Sequence, residues 1–391
     1  MTITQQGVLT LVKSALTGEK LPISQELNLA EVLKIATKHC ITTIVYYGAL
    51  NCGFDSQLPE MQQLFTETCK NIAVSEQQGY NIELLFSQFD ELGIAYMPLK
   101  GTLLKKMYPK SEMRIMGDAD ILIKLEQYDA VKPIMEKLGY TEKVESDHEL
   151  TWYKSGICIE LHKRLIPSYN KDYYAYYGDG WQLAKIKNGT RFSMTDDDQM
   201  IYLFTHFAKH YRDAGIGIRH IVDLWVYRKN VKNLDEVYII NELKKLQLAD
   251  FYTNIIATLD NWFEESDETP VTDFITQIIF NSGVYGENEI HIISEAVKRS
   301  KTYGSAFNVK LSKYINLLFP KYFNMCQLYP VLKRYKFLLP VMWVARIFRT
   351  IIFKRESIKY NNAKVNKITD TEIDSYQQSL NFVGLDFNFK E

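Results

Sequence analysis

Cysteine is scarce in this sequence, long apolar runs are missing, and neither sign of charge is in excess. The five cysteines, Cys40, Cys52, Cys69, Cys158 and Cys326, are odd in number and form no CxxC pair. That spacing argues against a zinc ribbon or disulfide framework and predicts free thiols in a reducing compartment. The longest apolar run, FLLPVMWVA from Phe337 to Ala345, is about half of what a membrane-spanning helix needs. No basic residue precedes Lys13, and polar residues interrupt the first apolar positions, which is unlike a secretory leader. The expectation is a cytoplasmic protein without a transmembrane segment. Lys and Arg number 46 against 47 acids, a net charge of -1. This disfavours a globally basic nucleic-acid binder but leaves a local basic patch open. Neither a GxxxxGK[ST] loop nor an HRD-like loop occurs, which argues against kinase chemistry.

What is present reads as a folded chain. Hydrophobic residues make up 46% and charged residues 24% of the 391 positions, and at roughly 150 residues per domain two or three domains are expected. Apolar residues recur at helical spacing in Val8, Leu9, Leu11, Val12 and Leu16, and again in Leu33, Ile35, Ala36 and Ile41. A third helix is predicted from Pro59 to Phe89, closing on Gly93. From Ile94 the texture changes to short β-rich runs: IAYMPL, DADILIK, LTWYK and GICIELH. A helix is predicted between them over Leu125–Tyr140, with Pro133 marking a kink or a start inside that segment. After Thr190 helices return, the first capped by Thr195 and opened by three aspartates that suit the positive helix end. The fold class expected is α+β. A small mixed-sheet core over 89–192 lies between an N-terminal helical region, 1–88, and a C-terminal helical domain, 193–355, with a polar tail over 356–391.

Chemistry concentrates in PLKGTLLKKMYPKSEMRIMGDADILIK, Pro98 to Lys124. An apolar strand ends in Lys100-Gly101-Thr102 and feeds a short helix, where glycine lets backbone amides approach an anion and the helix end adds positive charge. Asp118 and Asp120 open the next strand at i and i+2. Period two puts both carboxylates on one face, about 7 Å apart by strand rise, with Ala119 and Ile121 facing the core. Like charges so close repel unless a cation or solvent relieves them, and Mg²⁺ selects hard carboxylate oxygens. In GICIELHKRL, Cys158, Glu160 and His162 point away from Ile157, Ile159 and Leu161. An acid in mid-strand marks either a site-lining face or a solvent-facing edge.

In these residues the chain resembles the nucleotidyltransferase superfamily, whose fold DNA polymerase β shares with the aminoglycoside nucleotidyltransferases. The family pattern is a strand ending in Gly-Ser or Gly-Gly, a helix, Asp-x-Asp on the next strand, and a later strand acid. Here it reads Gly101-Thr102, Asp118-Ala119-Asp120 and Glu160. The Lys-Gly-Thr variant is similar to the AbiEii-type branch and to the bacterial uncharacterised nucleotidyltransferases. That last group also carries an Arg before the Asp pair and a His after the third acid, the places of Arg114 and His162. The resemblance implies that Asp118, Asp120 and Glu160 bind two Mg²⁺ ions (Mn²⁺ being the alternative), or that Glu160 instead deprotonates the acceptor hydroxyl. It also implies that Gly101 and Thr102 cradle phosphates through backbone amides, with Lys100 and Arg114 neutralising phosphate charge or standing as surface cations.

A second cluster follows. His206 and His210 share a helix face with Lys209 beside them, and Arg219 and Asp223 lie four apart after Gly215-Ile216-Gly217. HFAKH is not the metalloprotease HExxH. The block recurs in the uncharacterised group, which suggests substrate binding; partly buried histidines and an Arg219–Asp223 helix pair are the structural alternative. The segment Pro340 to Arg355 mixes apolar residues with three arginines and a lysine, which suits either a packed helix with snorkelling Arg346 and Arg349 or an anionic surface. The activity expected is transfer of a nucleotidyl group, AMP from ATP, to a hydroxyl of a small-molecule or sugar-like acceptor. The rivals are a toxin-like enzyme acting on tRNA and a catalytically silent nucleotide-binding scaffold, which usually lacks one of the acids.

Overall fold

The computed structural model describes residues 1–168, 170–264, 266–283, 290, 291, 293, 294, 297, 315, 318–320, 322–353 and 369–385. Two compact units emerge, one of Met1–Tyr211, Gly215–Gly286 and Val383–Glu391, the other of Arg212–Ala214 and Glu287–Phe382. The expected divisions at 88 and 192 therefore fall inside the first unit.

The first unit begins with α1 (Ile3–Thr17), α2 (Leu29–Lys38) and α3 (Thr42–Cys52). Thr2 and Gln5 form a reciprocal capping box on α1, and Gly18 ends it in the left-handed region. The stripe Val8, Leu11, Val12 and Ala15 is buried. Helix α1 crosses α3 at Gly48, where a Cβ would sit 1.9 Å from the Leu11 carbonyl oxygen; only glycine allows that approach. Next comes α4 (Pro59–Glu91), 33 residues long, or about 50 Å at 1.5 Å per residue. Met61 and Leu64 near its start are buried, and further along Ile82, Leu85, Phe86 and Phe89 join the core under the sheet.

The sheet contains β1 (Tyr96–Pro98), β2 (Ala119–Ile123), β3 (Thr141–Glu145), β4 (Glu149–Lys154), β5 (Ile157–His162), β6 (Lys185–Asn188) and β7 (Arg191–Ser193), in spatial order β3-β4-β5-β2-β1-β7-β6. It is mixed: β2 runs parallel to β5 and β1 to β7, and the other neighbours are antiparallel. Alternation decides its faces. Ala119, Ile121, Ile123, Ile157, Ile159 and Leu161 pack with α4 and with Val131, Ile134 and Met135 of α6 (Tyr128–Lys137). This α6 begins inside the expected segment and runs through Pro133, forgoing the bond that residue would make to the Asp129 carbonyl. The short helix α5 (Lys100–Leu104) joins β1 to the stretch before β2, and α7 (Lys171–Tyr177) follows β5.

The opposite sheet face is roofed by α8 (Asp196–Asp213) and α9 (Ile218–Asn230). Thr195 caps α8 as expected, its Oγ1 accepting from the Asp198 N–H at 3.1 Å. After α10 (Glu236–Lys245), α11 (Ala249–Phe263) and α12 (Pro270–Ser282), one histidine ties distant elements together. His39, after α2, accepts from the Ile218 N–H through Nδ1 at 3.1 Å and donates Nε2–H to the Phe280 carbonyl at 3.2 Å.

The second unit contains α13 (Tyr322–Leu328), α14 (Val331–Arg334), α15 (Leu339–Phe353) and α16 (Asp370–Phe382). Met325, Cys326 and Leu332 form a small core, with Leu339, Met342 and Trp343 of α15 packed against it. No side chain of residues 339–349 is fully buried, and Val341, Val344 and Phe348 are more than half exposed, so over these residues α15 packs through one face only. The expected polar tail holds α16, with Ile373 and Leu380 buried; residues 354–368 lie outside the described ones. Among the described residues no helix is long and apolar enough to cross a membrane.

Candidate active site

The parallel register of β2 and β5 sets Asp120 beside Glu160 and Leu122 beside His162, about 4.8 Å apart from strand to strand. Asp118 stands at the strand entrance, exposed. With α8 and α9 above, Asp118, Asp120, Glu160 and His162 line a cavity of about 410 Å³, together with Lys100, Gly101 and Arg219. Asp118, Asp120 and Glu160, distant in sequence, thus meet in one place.

The Lys-Gly-Thr turn is built around Asp120. The Leu99 N–H donates to the Asp120 carbonyl at 3.0 Å, holding the end of β1 against β2. Lys100 takes φ +40°, a left-handed conformation disfavoured for a side chain of this kind, and its Nζ lies 2.7 Å from Asp120 Oδ1. His162 Nε2 reaches the same oxygen at 2.8 Å. A Cβ on Gly101 would lie 3.0 Å from Met116 Sδ and 3.1 Å from Arg114 Nη1, so a larger residue there would press on both side chains and move them by a few tenths of an ångström. Gly101 lines the cavity and Thr102 does not. The Thr102 amide donates to the Leu99 carbonyl at 3.1 Å, and its Oγ1 is buried without a partner. Of the expected amide cradle, only Gly101 therefore faces the cavity.

Arg114 differs from the expected phosphate contact. Its Nε and Nη2 donate to the two oxygens of Asp223, both at 2.9 Å, and Nη1 donates to the Ile115 carbonyl at 2.9 Å. Tyr108 completes the buried group with a hydroxyl donated to Asp223 Oδ1 at 2.7 Å. This bidentate pair fastens the segment before β2 to α9 and replaces the expected Arg219–Asp223 pair. Arg219 donates Nη1 to the Ile115 carbonyl at 3.1 Å, and its buried Nε has no partner. His206 and His210 share a helix face as expected, their Nε2 atoms 3.0 Å apart, and both line the cavity with Lys209.

Charge crowding shapes the protonation states. Burial, then Asp118, Glu149 and Asp120, push Glu160 up to about 8. Surrounding protein and the Asp120 charge raise the Asp118 carboxyl above its ordinary value, although its own surface is open. Burial pushes Asp120 upward too, but Lys100 and His162 outweigh it and hold the carboxyl well below the usual range. Burial lowers His162, His206 and His220, which keeps these imidazoles neutral.

The donors fit a divalent cation. The carboxylates of Asp120 and Glu160 belong to a cluster with His162 whose ligand atoms lie within 4.8 Å of one another, and Asp118 adds a further carboxylate at the rim. Burial and the neighbouring acids drive Glu160 up to about 8, and a dication between the carboxylates would offset that cost of ionising it. Sequence reasoning missed His148, Glu149 and His220, all in the cavity wall. For the first two a signal existed: the Ser155-Gly156 turn fixes the β4–β5 register, which brings Glu149 opposite His162.

A mixed sheet with a glycine turn, an Asp pair entering one strand and a facing acid on its parallel neighbour defines a nucleotidyltransferase core. Residues 25–264 match the family model described as uncharacterised nucleotidyltransferase, and the chain belongs to that family. No curated protein and no solved structure matches it.

Proposed function

We propose that this pocket moves a nucleoside monophosphate, AMP from ATP, onto a hydroxyl of a small sugar-like acceptor, with pyrophosphate leaving. The convergence of Asp118, Asp120 and Glu160 in one cavity carries the reading. Asp118 and Asp120 would hold Mg²⁺, which when bound supplies charge stabilisation to the phosphoryl oxygens. The protein's own groups do the rest. Glu160 takes the acceptor proton as its oxygen forms a bond to the α-phosphorus; the bond to the bridging oxygen breaks, and pyrophosphate keeps that electron pair. Arg219 offers a cationic edge to the phosphates, and Gly101 lets them come close to the backbone. Lys100 holds Asp120 ionised and in place.

A small acceptor is favoured over tRNA by the charge of the wall. Lys100, Arg114, Lys209 and Arg219 are set against Asp118, Asp120, Glu149, Glu160 and Asp223, which gives no basic collar for a polyanion. The test is pyrophosphate release from each of four NTPs with Mg²⁺, in the presence of sugars and polyols or of total tRNA. Acceptor masses are then read by mass spectrometry. Release with one NTP, and a sugar or polyol that gains its NMP, supports the proposal. NMP on tRNA replaces the acceptor. No release and no metal-dependent NTP binding leaves the silent scaffold.

A further inference from the structure

We propose a second cation site, formed by His148, Glu149 and His162, that takes a borderline divalent transition metal of the Zn²⁺ class. It does not rest on the nucleotidyl-transfer reading. Its framework is local. Ser155 and Gly156 take φ +47° and +81°, the two left-handed positions of a tight hairpin turn. That turn pairs Lys154 with Ile157 and, five positions on, Glu149 with His162. The preceding turn is fixed by Ser146, whose Oγ accepts the Glu149 N–H at 3.1 Å, and by the Lys163 N–H, which donates to the His148 carbonyl at 2.7 Å.

These constraints bring three donors together with too few protons between them. Asp120 accepts from His162 Nε2 at 2.8 Å, and an ionised carboxylate can only accept. Nε2 therefore carries the hydrogen, and the neutral ring turns a bare lone pair on Nδ1 the other way. That Nδ1 is buried without a partner, in a side chain 3% exposed, and lies 4.0 Å from Glu149 Oε2. A lone pair facing a carboxylate across that gap is repulsive, and a cation between them makes it attractive. His148 Nε2 supplies the third donor, 2.9 Å from the same Glu149 oxygen. Its Nδ1, 3.3 Å from Ser146 Oγ, can donate there and free Nε2 for the metal. One ligand atom from each of the three residues lies within 4.8 Å of the other two.

Donor chemistry names the ion. Two imidazole nitrogens and one carboxylate suit Zn²⁺ and its neighbours, whereas Mg²⁺ takes oxygen alone. Asp120 behind His162 is the carboxylate that fixes a metal-bound imidazole. Three protein donors leave one position of a four-coordinate ion open, and His148, Glu149 and His162 share the cavity with Asp118 and Glu160. The open position is where a water or substrate oxygen would enter.

The whole 391-residue chain, stripped with chelator and dialysed against Zn²⁺, should retain one equivalent by mass spectrometry of the metal. His148→Gln and Glu149→Gln should each weaken retention at least about tenfold, and Asp118→Asn should keep it. Both altered residues are part-exposed at a turn, and circular dichroism checks their folding. A reading that needs no variant comes from Co²⁺, which should give an intense four-coordinate visible band. The proposal is overturned by zinc retained in both variants, which puts the ion on Asp120 and Glu160, by a weak octahedral cobalt band, or by no stoichiometric zinc. Zinc binding does not depend on whether NTP is turned over, so the two readings fail separately.

Discussion

Arg114 and Asp223 form the pair whose removal gives the most quantitative test of how the site is held. Replacing Arg114 with Met keeps most of the apolar stem and deletes the guanidinium. Asp223, 7% exposed, would lose two charge-assisted bonds of 2.9 Å and keep only the Tyr108 hydroxyl. A buried charge left without its partner costs about 3–5 kcal/mol. Asp223→Leu strands Arg114 in the same way, with the Ile115 carbonyl as its remaining partner, and should cost about as much. The double variant leaves neither charge of the pair stranded, so its loss should be about 2 kcal/mol or less, well short of the sum of the singles. Urea unfolding of the four proteins, followed by circular dichroism and tryptophan fluorescence, measures this coupling; two transitions are fitted because two units need not unfold together. Single variants that lose less than about 1 kcal/mol, or a double that loses the full sum, would refute a buried, mutually dependent pair. If Arg114 instead served phosphate, Arg114→Met would weaken NTP binding and leave stability unchanged.

Three further outcomes follow from single positions. Gly101→Ala puts a methyl 3.0 Å from Met116 Sδ and 3.1 Å from Arg114 Nη1, so it should lose about 1–3 kcal/mol and NTP binding with it. Gly79→Ala, in mid-α4 with nothing within 4 Å, should gain about 0.5–1 kcal/mol in the same urea titration; equal effects at the two sites would remove the close-approach argument. Burial, with the Lys38 charge adding to it against the Phe280 carbonyl bond, lowers His39 from 6.5 to about 4. Because the folded pKa lies below the unfolded one, the unfolded chain binds the proton first. Stability is then full above pH 6.5 and is lost as pH falls toward 4, by about 3 kcal/mol at 1.36 kcal/mol per pH unit. The difference between the wild type and His39→Gln should shrink by that amount between pH 7 and pH 4; parallel profiles would show that His39 is not the group.

The acids of the site were legible because strand alternation has period two. Asp118-Ala119-Asp120 and Cys158-Ile159-Glu160 state which face each carboxylate takes, and the core confirms it through Ala119 and Ile159. Helix α4 was legible from Pro59 at its first position and the left-handed Gly93 past its end. The strands β3 and β6 were not: TEKVE and KIKN are largely exposed, so they carry no hydrophobic pattern and owe their place to hydrogen bonds from β4 and β7. The Arg114–Asp223 pair was not legible because its partners lie 109 residues apart, beyond any spacing rule. The divisions at 88 and 192 marked changes in secondary structure, whereas packing of the helices on both sides of the sheet joins those regions into one unit.

The most direct test of the account is calorimetric titration of ATP into the wild type and into Asp118→Asn/Asp120→Asn, with and without Mg²⁺. The account predicts saturable binding that requires the metal and both aspartates. Binding of equal strength in the double variant, or no binding of any NTP at millimolar concentration, would contradict it.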